Sequence, residues 1–451
     1  MQYQSSGVKI HIIRVMLIML LILMAPFFFN TCHQSNENSE PFRDGNLLRS
    51  TEARNTSPAC TEGELAQLVT DNNTFAFELY QVLKEGIENM MYSPYSISMA
   101  MAMTYAGARN NNETQIAGAL LFTLPKDRFH STFNALDLAL NSRSQRNTQG
   151  EGQHFILKGA NSVWGQEGYP FLSEYLDVLA INYDAGMRIV DFQANPEAAR
   201  VVINDWVLEQ TENKIEDLLP EGSIDIMTRL VLVNAIYFNA SWAKPFDEAN
   251  TQDGEFFLAD GTTVTVPMMW MNERDGKNGE SFKAADGQGY QAIELPYYSG
   301  ALSMLIVVPD DGQFQAFEQT LDYSVIENIV TNLSQVRLIL TMPKFEYQSE
   351  FGLIEGLTQM GMSDAFDPER ADFSGIDGGY GGLFIAGIRH KTFISVDEEG
   401  TEAAAATGVV VGIVSAFPTK EIVINHPFIY LIRDVETGAI LFIGRVLNPA
   451  G

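Results

Sequence analysis

Sulfur chemistry is nearly missing from this chain. Only two of its 451 residues are cysteine, Cys32 and Cys60, and both lie in the first 60. A disulfide framework or a cysteine-rich metal site is therefore excluded for the bulk of the chain. Histidine is sparse too: the six (His11, His33, His130, His154, His390, His426) include no HExxH and no pair four residues apart. That argues against a zinc hydrolase. Positive charge is scarce, with 28 Lys and Arg against 57 Asp and Glu and a formal net charge of -29. A chain this acidic is repelled by phosphate backbones and anionic lipid, which excludes nucleic-acid binding and polyanion sites built from Lys/Arg patches. There is no G-x-S-x-G elbow and no P-loop. Gly375, Gly378, Gly379, Gly381 and Gly382 do not sit between a strand and a helix start with an acidic residue ~20 positions on, so they read as a turn or surface loop. With no signature of an activated nucleophile beside a base, the chain does not read as an enzyme, and nothing calls for a metal or cofactor.

What is present is ordinary globular material: 46% hydrophobic and 19% charged residues, enough to bury a core. The amino terminus reads as an export signal over residues 1–31. Lys9 and Arg14 lead into the run Val15–Phe29, and no acidic residue comes before Glu37. At 15 residues that run is shorter than the ~20 a spanning helix needs, and Pro26 interrupts it. Cys32 follows directly, as in a bacterial lipoprotein signal where this cysteine is acylated. Phe29-Asn30-Thr31 departs from the usual lipobox, so an ordinary cleaved signal stays open. Residues 32–60 are polar and poor in large apolar side chains, which predicts a tether that holds the rest away from a membrane.

From Thr61 to Gly451 no further composition break occurs, and helix and strand patterns are mixed. Thr61-x-x-Glu64 is a capping box ahead of an amphipathic helix through Phe75 and Leu79. Asn195-Pro196 starts a helix with Ala199, Val202, Ile203 and Trp206 on one face. Phe351–Met360 repeats the helical period, with Gly361 as its C-cap. Leu230–Phe238 is a continuous apolar run, expected of a strand covered on both faces. Met304–Val308 ends at the turn Pro309–Gly312. Ile422–Ile432 and Ile440–Val446 flank Glu436-Thr437-Gly438 as a carboxy-terminal hairpin. Helices and strands do not alternate regularly, which favours α+β.

Glu398–Ser415 holds 18 residues without Pro, Lys or Arg. Its first half favours helix through four alanines and its second half is β-branched. At period two, Thr401, Ala403, Ala405 and Thr407 share a face with Val409 and Val411. Small residues on one face suit a strand that enters a packed sheet without clash. A surface alanine helix leading into a core strand fits the composition equally well.

Over 61–451 the sequence resembles the serpins. The resemblance is carried by Ser93-Pro94-Tyr95-Ser96-Ile97-Ser98, Leu232–Phe238 with Trp242 and Pro245-Phe246, Ala371–Ile376, and His390-Lys391. The hinge-like Glu398–Ala406, Asn425-His426-Pro427-Phe428, Phe442–Arg445 and Asn448-Pro449 complete the series. It implies a fold of three β-sheets with eight or nine helices and an exposed reactive-centre loop at about 398–420. It also implies suicide inhibition of serine proteases: attack on one loop bond, an acyl-enzyme, and insertion of the cut loop into the central sheet. By residue-to-residue matching the reactive bond is Val414–Ser415, within the window 413–416. The hinge is Glu398, Gly400, Thr401, Ala403, Ala405 and Thr407, and the sheet-opening group is Ser93, Ser96, Asn234, His390 and Trp242. A small aliphatic residue at 414 suits an elastase-like primary pocket. The partners implied are such serine proteases, with cysteine proteases as a second class, acting on an exported monomer. Its location would be extracellular or at a bacterial envelope, lipid-anchored through Cys32. The alternative is a non-inhibitory serpin-fold binding or carrier protein. Such members usually carry bulky, charged or proline residues in the hinge, and Thr401–Thr407 has none apart from Glu402, which falls on the opposite face at period two.

Overall fold

In Leu230–Ser241 all twelve residues are buried, because this strand is covered on both faces. Its even-numbered members, Leu232, Ile236, Phe238 and Ala240, join the main core, while Val231, Val233 and Ala235 join a second, smaller core. That second core is closed by the helix Pro196–Gln210, which brings Ala199, Ile203 and Trp206 onto the sheet. On the opposite face lies the helix Pro94–Tyr105, buried at eleven of its twelve positions. A helix apolar on every side belongs between two layers. It packs against Leu230–Ser241 and Phe155–Gln166 on one side and Ile440–Val446 on the other.

The computed structural model describes residues 45–86, 88–145, 155–273, 282–401 and 417–451. The chain divides into two units, Met1–Pro41 and Phe42–Gly451, and every described residue belongs to the second. A seven-stranded sheet has the order Asn46–Leu48, Met187–Val190, Phe155–Gln166, Leu230–Ser241, Gly400–Thr401, Ile388–Val396, Phe345–Gly352. Leu230–Ser241 and Ile388–Val396 also pair directly, in parallel, over Leu232–Tyr237 and Ile388–Phe393. The other ten strands form one hydrogen-bonded sheet with two parts. They share Ser334–Pro343, whose first residues pair with Phe282–Gly287 and whose later ones pair with Thr263–Asn272. The three expected sheets are thus one sheet plus two parts joined along a single strand. Ten α-helices lie among the described residues, the shortest being Ser374–Asp377.

Local expectations hold in most places. Thr61 and Glu64 close the capping box reciprocally, at 3.2 and 2.8 Å, ahead of Glu62–Leu83. Asn195 caps Pro196–Gln210 through the Ala198 amide. Three readings change. The helix expected from Phe351 begins at Leu353, because Phe345–Gly352 continues as an edge strand; Gly361 follows the helix with φ +102°. Ile422–Ile432 is two strands, Thr419–Val423 and Phe428–Asp434. The break falls at Asn425-His426-Pro427, where the Asn425 carbonyl turns to the Phe257 amide and Pro427 has no N–H to offer. Lastly, the tether reading of 32–60 does not hold from Gly45 onward. Asn46–Leu48 pairs antiparallel with Met187–Val190, and Arg49 pairs with Asp184. Arg54 reaches Asp137 at 2.5 Å and Asn134 at 2.8 Å, while the Asn55 amide donates to the Ile181 carbonyl. Backbone pairing and ion pairs dock this stretch, whose two large apolar side chains, Leu47 and Leu48, stay exposed.

Candidate functional site

Two of the sheet's middle strands are joined by a buried polar cluster. His390 lies opposite Asn234 in the parallel register, and both are fully buried. The Ser93 amide donates to His390 Nε2 at 3.0 Å, so Nδ1 carries the proton and donates to Asn234 Oδ1. Asn234 Nδ2, with two hydrogens to donate, has three acceptors within reach: the Ser96 carbonyl at 2.5 Å, Ser96 Oγ at 2.9 Å and Asn161 Oδ1 at 2.7 Å. Ser93 Oγ caps the helix by accepting from the Ser96 amide at 3.1 Å. Burial keeps His390 neutral and pushes its pKa down to about 3, only partly opposed by its bond to Asn234. Ser93, Ser96, Asn234 and His390 are therefore one hydrogen-bonded network. Asn161 is a fifth member that sequence reasoning missed. Its only signal is a polar side chain inside the strand Phe155–Gln166, opposite Asn234.

Trp242 lies elsewhere, eight positions further along the strand from Asn234, roughly 26 Å at ~3.3 Å per residue. There the sheet is already open by one short strand. Gly400–Thr401 enters between Leu230–Ser241 and Ile388–Val396, with Thr401 opposite both Ala240 and Val396. The turn that brings it there is closed by the Asp397 carboxylate, which accepts from the amides of Glu399 and Gly400 at 2.9 and 3.2 Å. Only glycine fits at 400, since a Cβ would stand 2.2 Å from the Ala240 carbonyl oxygen. Thr401 is fully buried and its hydroxyl bonds Tyr297 Oη at 2.8 Å. Trp242 stacks on Tyr297 with ring centres 4.6 Å apart, and its indole N–H donates to the Asp397 carbonyl at 3.0 Å.

Glu398 fastens this root. It is 4% exposed, ion-paired to Lys344 at 2.6 Å and accepting from Thr251 Oγ1 at 2.6 Å. Burial alone would raise its pKa; the bonds from Lys344 and Thr251 outweigh that and hold it below the usual value. Tyr297, Lys344 and Thr251 carried no local signal, because they lie 104, 54 and 147 positions from their hinge partners. Ala403, Ala405, Thr407, Val414 and Ser415 lie outside the described residues, as does Cys32.

The comparisons fit this geometry. The serpin (serine protease inhibitor) family model matches residues 70–449. The chain belongs to the serpin family. A serpin-like protein of the archaeon Thermococcus kodakarensis is 37% identical over 438 residues, 95% of this chain and 98% of its own. Horse leukocyte elastase inhibitor is 37% identical over 399 residues, covering 85% of this chain and all of its own. Among solved structures, human thyroxine-binding globulin complexed with its hormone superposes with a TM-score of 0.74 at 30% identity, over 85% of this chain and 99% of that one. Family membership therefore spans proteins named as inhibitors and proteins named as carriers.

Proposed function

We propose that this serpin inhibits serine proteases as a suicide substrate. The reading rests chiefly on one observation: Thr401 already sits, fully buried, between two strands that elsewhere pair with each other. Serpin loop insertion is a known case of strand addition to a sheet. The pairing of Thr401 with Val396 and Ala240 supports a register for it. Continued from Thr401, residues 403, 405 and 407 fall opposite Ile394, Thr392 and His390 on one strand and Phe238, Ile236 and Asn234 on the other. These are core-facing positions, and alanine or threonine enters them without adding bulk. The same count brings residue 411 opposite Leu230, so residue 414 would be carried past the end of the strand.

The chemistry belongs to the protease. Its serine oxygen attacks the Val414 carbonyl, the Ser415 amine leaves with a proton, and an ester joins Val414 to the enzyme. Insertion before hydrolysis would drag that ester away from the machinery that cleaves it. One direct parallel pair is replaced by two antiparallel ones, which pair slightly better per residue. Each added ladder bond contributes ~0.5–1.5 kcal/mol net. An uncharged, β-branched Val414 favours elastase-like enzymes. The amino-terminal signal supports action outside the cytoplasm, with Cys32 as the lipid anchor; metabolic labelling with palmitate, lost in Cys32→Ala, tests that placement. The inhibitory reading itself is tested by cutting the loop with a non-target protease. A cut chain that unfolds tens of degrees above the intact one supports insertion, and an unchanged midpoint favours a carrier.

A further inference from the structure

The three most exposed large hydrophobic side chains among the described residues are Tyr380 (73%), Met227 (61%) and Ile226 (59%), and all lie at one end of the seven-stranded sheet. Gln166, the last residue of Phe155–Gln166, brings them together. Its amide donates to the Arg229 carbonyl at 3.1 Å, and the Arg229 guanidinium donates to the Ile226 carbonyl at 2.9 Å. Met227 tips a turn in which its own amide and that of Thr228 donate to the Asp225 carboxylate. Three residues past Gln166, the Tyr169 ring meets Tyr380 edge to face with centres 5.4 Å apart. The Tyr169 hydroxyl lies 3.0 Å from both Asp377 Oδ2 and the Gly381 carbonyl, which fixes the loop that carries Tyr380. Glycines on both sides of Tyr380 leave it no neighbouring side chain as cover. Gln166 also pairs with Val190, next to Ile189, opposite which Asn46 opens the first strand. Leu230–Ser241 starts at this end too, while Trp242 and the hinge lie twelve residues on, roughly 40 Å away at ~3.3 Å per residue.

We propose that this end of the intact protein docks on a lipid surface. Tyr380, Met227 and Ile226 enter the layer between headgroups and acyl chains, and the hinge end points away from the membrane. The proposal rests on the lipid-anchor reading of Cys32 and adds an orientation to it. The place where the chain enters the domain supports this occupant. Cys32 lies thirteen residues before Gly45, and thirteen extended residues span at most about 45 Å. An acylated Cys32 therefore confines this end to within that distance of the bilayer, and the raised local concentration lets three side chains suffice. A single acyl chain holds a membrane only marginally, so a second contact lengthens residence. Tyrosine, with an apolar ring and a polar tip, matches the interfacial depth. Glu167 and Asp225 are exposed at this end, so zwitterionic lipid fits it better than anionic lipid. Charge also opposes a second copy as occupant, since every copy carries a formal net charge of -29. On the inhibitory reading residue 414 is carried past Leu230 to this same end, so a trapped protease takes the place of the bilayer.

The test places the full mature chain, acylated at Cys32, in phosphatidylcholine vesicles. Cys60→Ser removes the other thiol, and a fluorophore is attached through Met227→Cys or, at the hinge end, through Glu248→Cys. Brominated lipid should quench the label at 227 about fivefold more than the label at 248, and aqueous iodide should do the reverse. Tyr380→Asp with Ile226→Asp should abolish that difference while the anchor keeps the chain on the vesicles. Equal quenching at the two positions would overturn the proposal and leave the anchor reading intact. A label at 227 shielded from iodide but not reached by brominated lipid would also overturn it, because protein would then cover the patch. If palmitate does not label the chain, the anchor reading fails; lipid quenching at 227 when the unacylated chain meets vesicles would still support the docking surface, and its absence would overturn both.

Discussion

Replacing His390 by leucine should weaken the intact protein more than the loop-cleaved one. The side chains are similar in volume, so the loss is mainly polar: the Ser93 amide and Asn234 Oδ1 both lose their partner in a fully buried site. Each orphaned group costs about 1–3 kcal/mol, giving roughly 2–6 kcal/mol together. For the ~390 residues of this domain the unfolding entropy scales to about 0.8 kcal/mol per degree, so Tm should fall about 2–7 °C. With the cleaved loop inserted as proposed, residue 407 would stand between His390 and Asn234, their bond would already be absent, and the loss should be about half. A pH series adds a second reading. His390 is neutral when folded, with its pKa near 3, and takes up a proton on unfolding near 6.5. The unfolded chain therefore binds more protons between those values. Stability is full above pH 6.5 and falls as pH drops, by about 1.4 kcal/mol per unit from this residue. His390→Leu should remove that slope. Scanning calorimetry at one scan rate, on intact and cleaved protein at pH 7.5 and 5.0, measures both effects. Equal Tm losses in the two forms, or an unaltered pH slope, would refute the assignment.

Thr401→Arg cannot bury its charge beside Tyr297, so the loop should be cleaved without trapping the enzyme; electrophoresis should show cleaved inhibitor replacing the covalent band. Lys344→Ala leaves Glu398 buried without its cation and should loosen the hinge root, read as faster proteolysis of the loop at neutral pH. Removing residues 1–60 strips Arg54 from Asp137 and the added strand from Met187–Val190, and should lower Tm by a few degrees for about 1–3 kcal/mol lost. Val414→Arg should move inhibition from elastase-like to trypsin-like proteases, measured as inverted association rates for the two enzymes.

The parts legible in the sequence are those where a residue's neighbours along the chain decide its fate. Leu230–Ser241 announces a doubly covered strand by unbroken apolarity, and Thr61 and Glu64 announce a helix start by their spacing. The polar Asn234 stands out against an apolar strand, and a buried polar group must find a partner; His390, between Arg389 and Lys391, is marked only by the resemblance to the serpins. Which partner it finds is not local: Asn161 lies 73 positions from Asn234, and Lys344 lies 54 from Glu398. Composition also misleads where docking is polar. Residues 45–60 look like a solvated tether because Leu47 and Leu48 are their only large apolar side chains, yet Arg49, Arg54 and Asn55 fasten them by charge and backbone bonds. The Asn425–Pro427 break escaped the pattern for the opposite reason. Apolar residues continue on both sides of it, and the break is marked by Pro427, which has no N–H for a ladder, and by the carbonyl of Asn425 turning to Phe257.

The most direct test is to titrate the purified chain with an active elastase, resolve the products under denaturing conditions and weigh the small fragment. Suicide inhibition at the assigned bond predicts a covalent band at the summed mass of enzyme and trimmed inhibitor, together with a released peptide running from Ser415 to Gly451. A cleaved loop with fully active enzyme and no covalent band, across elastase-like, chymotrypsin-like and trypsin-like proteases, would contradict it.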